Sequence, residues 1–471
     1  MIKETNTPII NPNKIYINKK HKNNPTFKAK TSLVDKYLAY KSKDADNLAV
    51  DRFIQDTATN WIPKVVFTRG LADFGDMSFL EFVESAIFYF LPTSFGKFFK
   101  KSYEKFHPEN LKKTISSNLS RSAEEILNDK DLKKDDVGKR ILSTKAAIIL
   151  GCTAIPAAEY GLSFAKNLFT LKVFHKSDFN NIANLNKDQV EDKEHQEKLK
   201  ASAHSHLKNA GLLSLGGLAA SVLFAKYGHK SEVLQNASSL ILQPGAHIAN
   251  GLRKIGLIKA EDTNKGLSKF LKKYITPDFD RQADGSFGLS KGQLLVTTVS
   301  GFFGYSAAAK DRGKLDQYEV WTRVPFVVLY TVFGGTIFDN LFKKVLTANN
   351  IFPDVIKKDE KDKAKYIITE TKDLASRAAE IAKKKVSEVS AASIELEFKK
   401  LKKQKAIITA FPTAFSFVFM GLFLSGITRF WTQYRYNHGK GSEVKTDANK
   451  NQEKNINFSQ LQRPDIFNAF Y

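Results

Sequence analysis

Ionisable side chains in apolar surroundings are where this chain could do chemistry, and Glu159 is the first of them. It is the sole charge in the run Ala146 to Ala165, with Tyr160 beside it. A carboxylate so placed can pass a proton or hold a cation, or it meets water near a helix end or pairs with a base on another helix. Asp339 has Lys343 one helical turn later, so it is either a second intramembrane carboxylate or half of a local ion pair. Glu81 and Glu84 lie three apart and share a helix face. Paired carboxylates do acid–base work or bind metal, but no Glu-x-x-His accompanies them, and a solvated face is the expectation. His195, His204 and His206 sit among Lys, Glu and Ser and read as exposed loop residues without the ligand spacing of a metal site. Asp278, Asp280, Asp284 and Gly285 have the residue types of a calcium loop, yet their register is wrong and no closing Glu follows.

Most other chemistry lacks its motif. The chain contains no G-x-x-x-x-G-K-[ST] and no H-E-x-x-H, so nucleotide hydrolysis and zinc-dependent hydrolysis have no support; one G-x-S-x-G is present, from Gly288 to Gly292, with Ser290 at its centre. Cys152 is the single cysteine and cannot form an internal disulfide or a multi-cysteine metal centre. No catalytic residue, metal or cofactor is assigned.

The elements that must position Glu159 are long apolar runs. Ala406 to Thr428 extends for 23 residues without an ionisable side chain, long enough at 1.5 Å per residue to cross a hydrocarbon layer of roughly 30 Å. Lys402, Lys403 and Lys405 precede it, and Arg429 and Trp431 follow at headgroup depth. Four weaker runs come earlier: Ala146 to Ala165, Asn209 to Ala225, Gly292 to Ala309 and Val324 to Phe342, with Trp321 just before the last. Strand-like alternation is rare. The expected fold is all-α, a multi-pass helical membrane bundle of about five spans with basic soluble helical segments.

Each run holds two small residues four apart, at Ala154 and Ala158, Gly217 and Ser221, Ser300 and Gly304, Thr331 and Gly335, and Gly421 and Ser425. That spacing lets helix backbones approach closely. Pro156 and Pro412 should kink their helices.

Net charge is +24 with a pI near 9.6, while mean hydropathy is only −0.31, so the membrane signal is concentrated. The excess charge points to anionic lipid headgroups in preference to nucleic acid, for which no motif is present. Between the five runs, Lys plus Arg against Asp plus Glu counts 7 to 6 (172–208), 11 to 6 (226–291), 4 to 3 (310–323) and 17 to 10 (343–405). The basic excess alternates, which by the positive-inside rule puts the N-terminus, the second loop and the fourth loop in the cytoplasm.

The remaining stretches fill in the organisation. Residues 1–30 and 431–471 read as flexible tails, and 31–145 as a basic helical region. The N-terminal stretch lacks an apolar core, so no cleaved signal peptide is expected. Within 31–145, the aromatic segment 79–99 reads as an amphipathic interfacial or re-entrant helix with Lys100 and Lys101 at the headgroups. Residues 146–342 carry four spans and 406–430 the fifth. Residues 343–405 include a Gly- and Pro-free stretch, 361–405, that predicts a long amphipathic helix suited to self-association or a protein partner. Three functions fit: an anchoring or interaction protein on anionic lipid, a small-solute or ion transporter or channel using Glu159, and a lipid-modifying membrane enzyme.

Overall fold

The computed structural model describes residues 32–439 except 43–47, 187–189, 260, 263–264, 278, 282–286, 360–364, 371–372 and 386–389. The expectations for residues 1–30, for the tail beyond 439 and for Asp278, Asp284 and Gly285 lie outside the described residues. The fold is all-α, with two short antiparallel strand pairs among the described residues, Phe279–Arg281 with Phe287–Leu289 and Ile356–Lys358 with Tyr366–Ile368. Two compact units divide the chain, Ala45–Gly334 with Phe415–Tyr471 and Met1–Asp44 with Gly335–Ala414.

In the larger unit, specific side-chain contacts set helix direction. Helical residues 48–65 run antiparallel to Leu71–Tyr89, since Trp61 Nε1 donates to Ser78 Oγ at 2.8 Å while Ser85 donates to Asp56. Leu71–Tyr89 in turn opposes Ala154–Phe174: Thr170 donates to Asp76, and Glu84 at the other end lies within electrostatic reach of Glu159. Lys193–Tyr227 is also antiparallel to that helix, with His206 Nδ1 2.7 Å from Tyr160 Oη and Gly217 against Thr153. Lys291–Arg312 runs parallel to it. Ser300 donates to the Pro156 carbonyl at 2.8 Å, and Asn167 donates to the Ala308 carbonyl at 2.9 Å. A reversal at Gly313, whose φ of 124° suits glycine, starts residues 314–334 back the other way. Residues 415–437 then return antiparallel to these, from Tyr330 beside Phe419 to Glu319 beside Arg429.

Among the described residues four helices are long and apolar enough to cross a membrane: Val137–Phe174, Lys193–Tyr227, Lys314–Ala348 and Ala391–Asn437. Four of the five expected runs lie on them. The fifth, Gly292 to Ala309, lies on Lys291–Arg312, which is less apolar and packs along Ala154–Phe174. Burial separates the four. The apolar window of Val137–Phe174 is 67% buried, against 22%, 17% and 22% for the others, because Leu71–Tyr89, Lys193–Tyr227 and Lys291–Arg312 cover it. Leu212, Leu213, Leu215, Val222 and Leu223 of an outer helix are exposed. An apolar surface of that extent suits hydrocarbon and not water.

Close packing uses the small residues. A Cβ on Gly304 would overlap the Tyr160 carbonyl, and one on Gly421 would stand 2.5 Å from the Thr59 carbonyl. Ser221 donates to the Ala147 carbonyl across its helix pair.

Two expectations meet a different structure. Segment 79–99 is not one helix. It breaks at Phe90 between Leu71–Tyr89 and Leu91–Glu104, where Pro92 sits at a helix start, the position its fixed φ favours. Lys101 is exposed and Lys100 half-buried. Residues 361–405 likewise contain strand Tyr366–Ile368 and helix Leu374–Lys385, followed by Ala391–Ser416. The cause is local: Tyr366, Ile367 and Ile368 favour a pleated strand. The thin stripe Leu374, Ala378 and Ile381 then buries within the smaller unit against Val355, Leu401 and Ile408.

Candidate functional site

Two charged layers cross the larger unit, their members buried or, like Asp56 and Glu84, half-buried. The layers lie eight residues apart on Leu71–Tyr89, roughly 12 Å of helix rise. The first gathers Asp73 and Asp76 from that helix, Arg69 before it, Lys166 from Ala154–Phe174, Arg312, Asp316 and Glu319 around the Gly313 reversal, and Arg429. Arg312 is 1% exposed; its Nη1 donates to Asp76 Oδ1 at 3.0 Å and to Asn167 Oδ1 at 3.2 Å, and its Nε lies 3.2 Å from Asp316 Oδ2. Lys166 Nζ stands 3.3 Å from Asp76. Arg429 bridges Asp73 at 3.2 Å and Glu319 at 2.7 Å, and Arg69 joins the same two carboxylates. Burial acts to raise the Asp73 carboxyl; Arg429 and Arg69 override it and hold it down at about 2. Four carboxylates face four cations, so this layer is neutral.

The second layer is not balanced. Glu81 pairs with Lys64 and accepts from Arg323 at 3.3 Å. Asp56 accepts from Ser85. Glu84 and Glu159 complete it. Glu159 is 1% exposed; its Oε1 accepts from Tyr305 Oη at 2.6 Å, and its Oε2 has no hydrogen-bond partner among the described residues. Room for the carboxylate comes from Gly301, where a Cβ would stand 2.8 Å from Oε1. Four carboxylates share two cations here. Low-dielectric surroundings do not hold two unneutralised negative charges, so the layer calls for bound protons or a cation.

The other singled-out residues lie elsewhere. Asp339 pairs with Lys343 at 2.6 Å in the smaller unit and takes no part. Tyr160, beside Glu159 in sequence, turns to His206. His195, His204 and His206 are on helix Lys193–Tyr227 and not in a loop; His206 stacks on Phe164 at 4.2 Å. Among the described residues no group of His, Cys, Asp or Glu is arranged to hold a metal ion. Glu81 is buried and paired instead of solvated, because residues 48–65 cover its face. Arg429, read as a headgroup contact, lies in the neutral layer, and Lys402, read likewise, pairs with Asp35. Lys405 donates to the Thr369 carbonyl at 2.8 Å, and Lys403 is exposed. Trp321 and Trp431 are exposed. Sequence reasoning missed Arg69, Asp73, Asp76, Arg312, Asp316 and Glu319. Their one signal was periodic: 312, 316 and 319, like 73 and 76, recur at helical spacing.

No family model, curated protein or solved structure matches this chain.

Proposed function

We propose that this chain is an integral membrane protein of the transporter or channel class, with Glu159 the group that takes up and releases a proton or a monovalent cation. The observation that carries this is the second charged layer: four carboxylates against two cations inside a helical bundle, with one Glu159 oxygen lacking a hydrogen-bond partner among the described residues. Ionisable groups of this kind line proton and ion paths because their desolvation is too costly to keep without use. Tyr305 fixes the carboxylate, and Gly301 keeps space beside it. The neutral layer serves as the clasp that holds the helix ends together. The alternating basic excess of the loops supports a cytoplasmic N-terminus.

The test uses the full chain in liposomes holding a pH dye. An imposed gradient of Na⁺, K⁺ or Li⁺ should change lumenal pH in wild type and not in Glu159→Gln, with equal incorporation of both. A response to a pH gradient alone identifies the proton as the ligand. Identical traces from wild type, Glu159→Gln and empty liposomes sink the proposal.

An anchoring role is the second reading. It is favoured by the charge-balanced layer, which alone suffices to rigidify a bundle, and by the basic surface of the chain. Retention in the membrane pellet after carbonate and salt washes together with silent liposomes selects it. Release by salt alone overturns both readings.

A further inference from the structure

We infer that helices Pro244–Lys254 and Gly266–Tyr274 form a hairpin that lies in the plane of the membrane surface and binds anionic phospholipid. This inference rests on membrane insertion of the bundle but not on the role of Glu159. Helix Pro244–Lys254 ends at Gly256, whose φ of 78° turns the chain, and helix Gly266–Tyr274 packs back against it. Gly245 permits the contact: its N–H donates to the Ile275 carbonyl at 2.9 Å, and its α-carbon lies too near the Leu271 carbonyl for any side chain.

Both helices are amphipathic, and apolar side chains on them and on the turn after Lys254 are left exposed. Ile248, Ile255, Leu257, Leu267 and Phe270 are exposed by 45%, 69%, 70%, 51% and 41%. Seven cationic residues, Arg253, Lys254, Lys259, Lys265, Lys269, Lys272 and Lys273, accompany them against two acidic ones, Glu261 and Asp262. Apolar side chains beside a lysine cluster are the composition of a segment lying at an anionic lipid surface.

Its level in the bundle agrees. Gly292 packs under the Thr276 carbonyl just past the hairpin, and Arg312 of the neutral layer ends the same helix. Twenty residues of helix separate them, about 30 Å, the thickness of a hydrocarbon core. Phe270 and Tyr274 also pack on Phe333, with centroids 6.0 and 4.7 Å away, an aromatic group such as collects at interfaces.

The experiment uses the full chain with Cys152→Ser and Leu257→Cys, labelled with an environment-sensitive dye, in vesicles of phosphatidylcholine alone or with 30 mol% phosphatidylglycerol, about the anionic fraction that gives a surface potential able to draw lysines. In anionic vesicles the dye should be quenched by spin-labelled acyl chains and shielded from iodide. Neutral vesicles, or Lys269→Gln with Lys272→Gln and Lys273→Gln, should at least halve that quenching. Equal quenching in both vesicle types overturns the anionic preference. A dye open to iodide in both, with the protein still resistant to carbonate, overturns the hairpin proposal alone and leaves the face to a soluble partner or second copy. Loss of the protein from carbonate-washed vesicles overturns membrane insertion itself.

Discussion

Replacing Arg312 by Met should destabilise the bundle by about 3–5 kcal/mol, the cost of leaving buried charges without their partner. The guanidinium is 1% exposed and serves Asp76, Asn167 and Asp316 at once. Without it Asp76 keeps Lys166 at 3.3 Å and the Thr170 hydroxyl. Asp316 loses its close cation. For a bundle of this size each kcal/mol moves the midpoint by roughly 2 °C, so Arg312→Met should lower Tm by about 6–10 °C. The assay is built in, because Cys152 is the single cysteine and is 6% exposed, so a thiol-reactive dye reports unfolding in detergent. Arg312→Met with Asp316→Leu removes the orphaned carboxylate and should recover about half of the loss. As a control, Lys198→Ala breaks an exposed pair with Glu194 and should cost under about 0.5 kcal/mol. A shift below about 2 °C for Arg312→Met, or a double variant weaker than the single, would refute a closed ionic layer at this position.

His107 supplies a pH test. Burial, then Arg140, His229 and Lys112, pull its imidazole from 6.5 down to about 4, and Thr144 Oγ1 lies 3.0 Å from Nε2. The folded state therefore resists protonation. Stability is full above pH 6.5 and is lost as pH falls towards 4, by on the order of 2–3 kcal/mol. His107→Gln should flatten that decline when Tm is followed by intrinsic fluorescence; an unchanged slope would assign the decline to other groups. Two glycines test the helix contacts. Gly304→Ala forces a methyl onto the Tyr160 carbonyl and should cost about 1–3 kcal/mol, whereas Gly211→Ala meets nothing within 4 Å and should gain up to about 1 kcal/mol of helix propensity. Equal midpoints for the two variants would show that the helices do not cross closely at Gly304.

What was legible in the sequence follows from the reach of each interaction. Ala406 to Thr428 reveals itself because length and apolarity are properties of one segment, and the solvent it meets reads them directly. Lys291–Arg312 is harder. It borrows cover from Ala154–Phe174, so its own side chains need not be strongly apolar, and small residues such as Ser300, Gly301 and Gly304 carry its contacts instead. Glu81 was misread for the reciprocal reason: a helix whose carboxylates face a neighbour's Lys64 and Arg323 has the same pattern as one whose carboxylates face water. Periodicity says which residues share a face and nothing about what covers it. The neutral layer is the extreme case. Arg69 and Glu319 are 250 residues apart, Asp73 and Arg429 farther still, and no local pattern joins them. Glu159 was visible because its own neighbours in sequence are apolar. Its meaning was not, since the imbalance that calls for a bound positive charge exists only when Asp56, Glu81 and Glu84 are brought beside it from other helices. The basis of the proposed ligand chemistry is therefore a property of assembled charge. Neutralising any one of those four carboxylates should weaken cation or proton uptake, while only Glu159→Gln should abolish it.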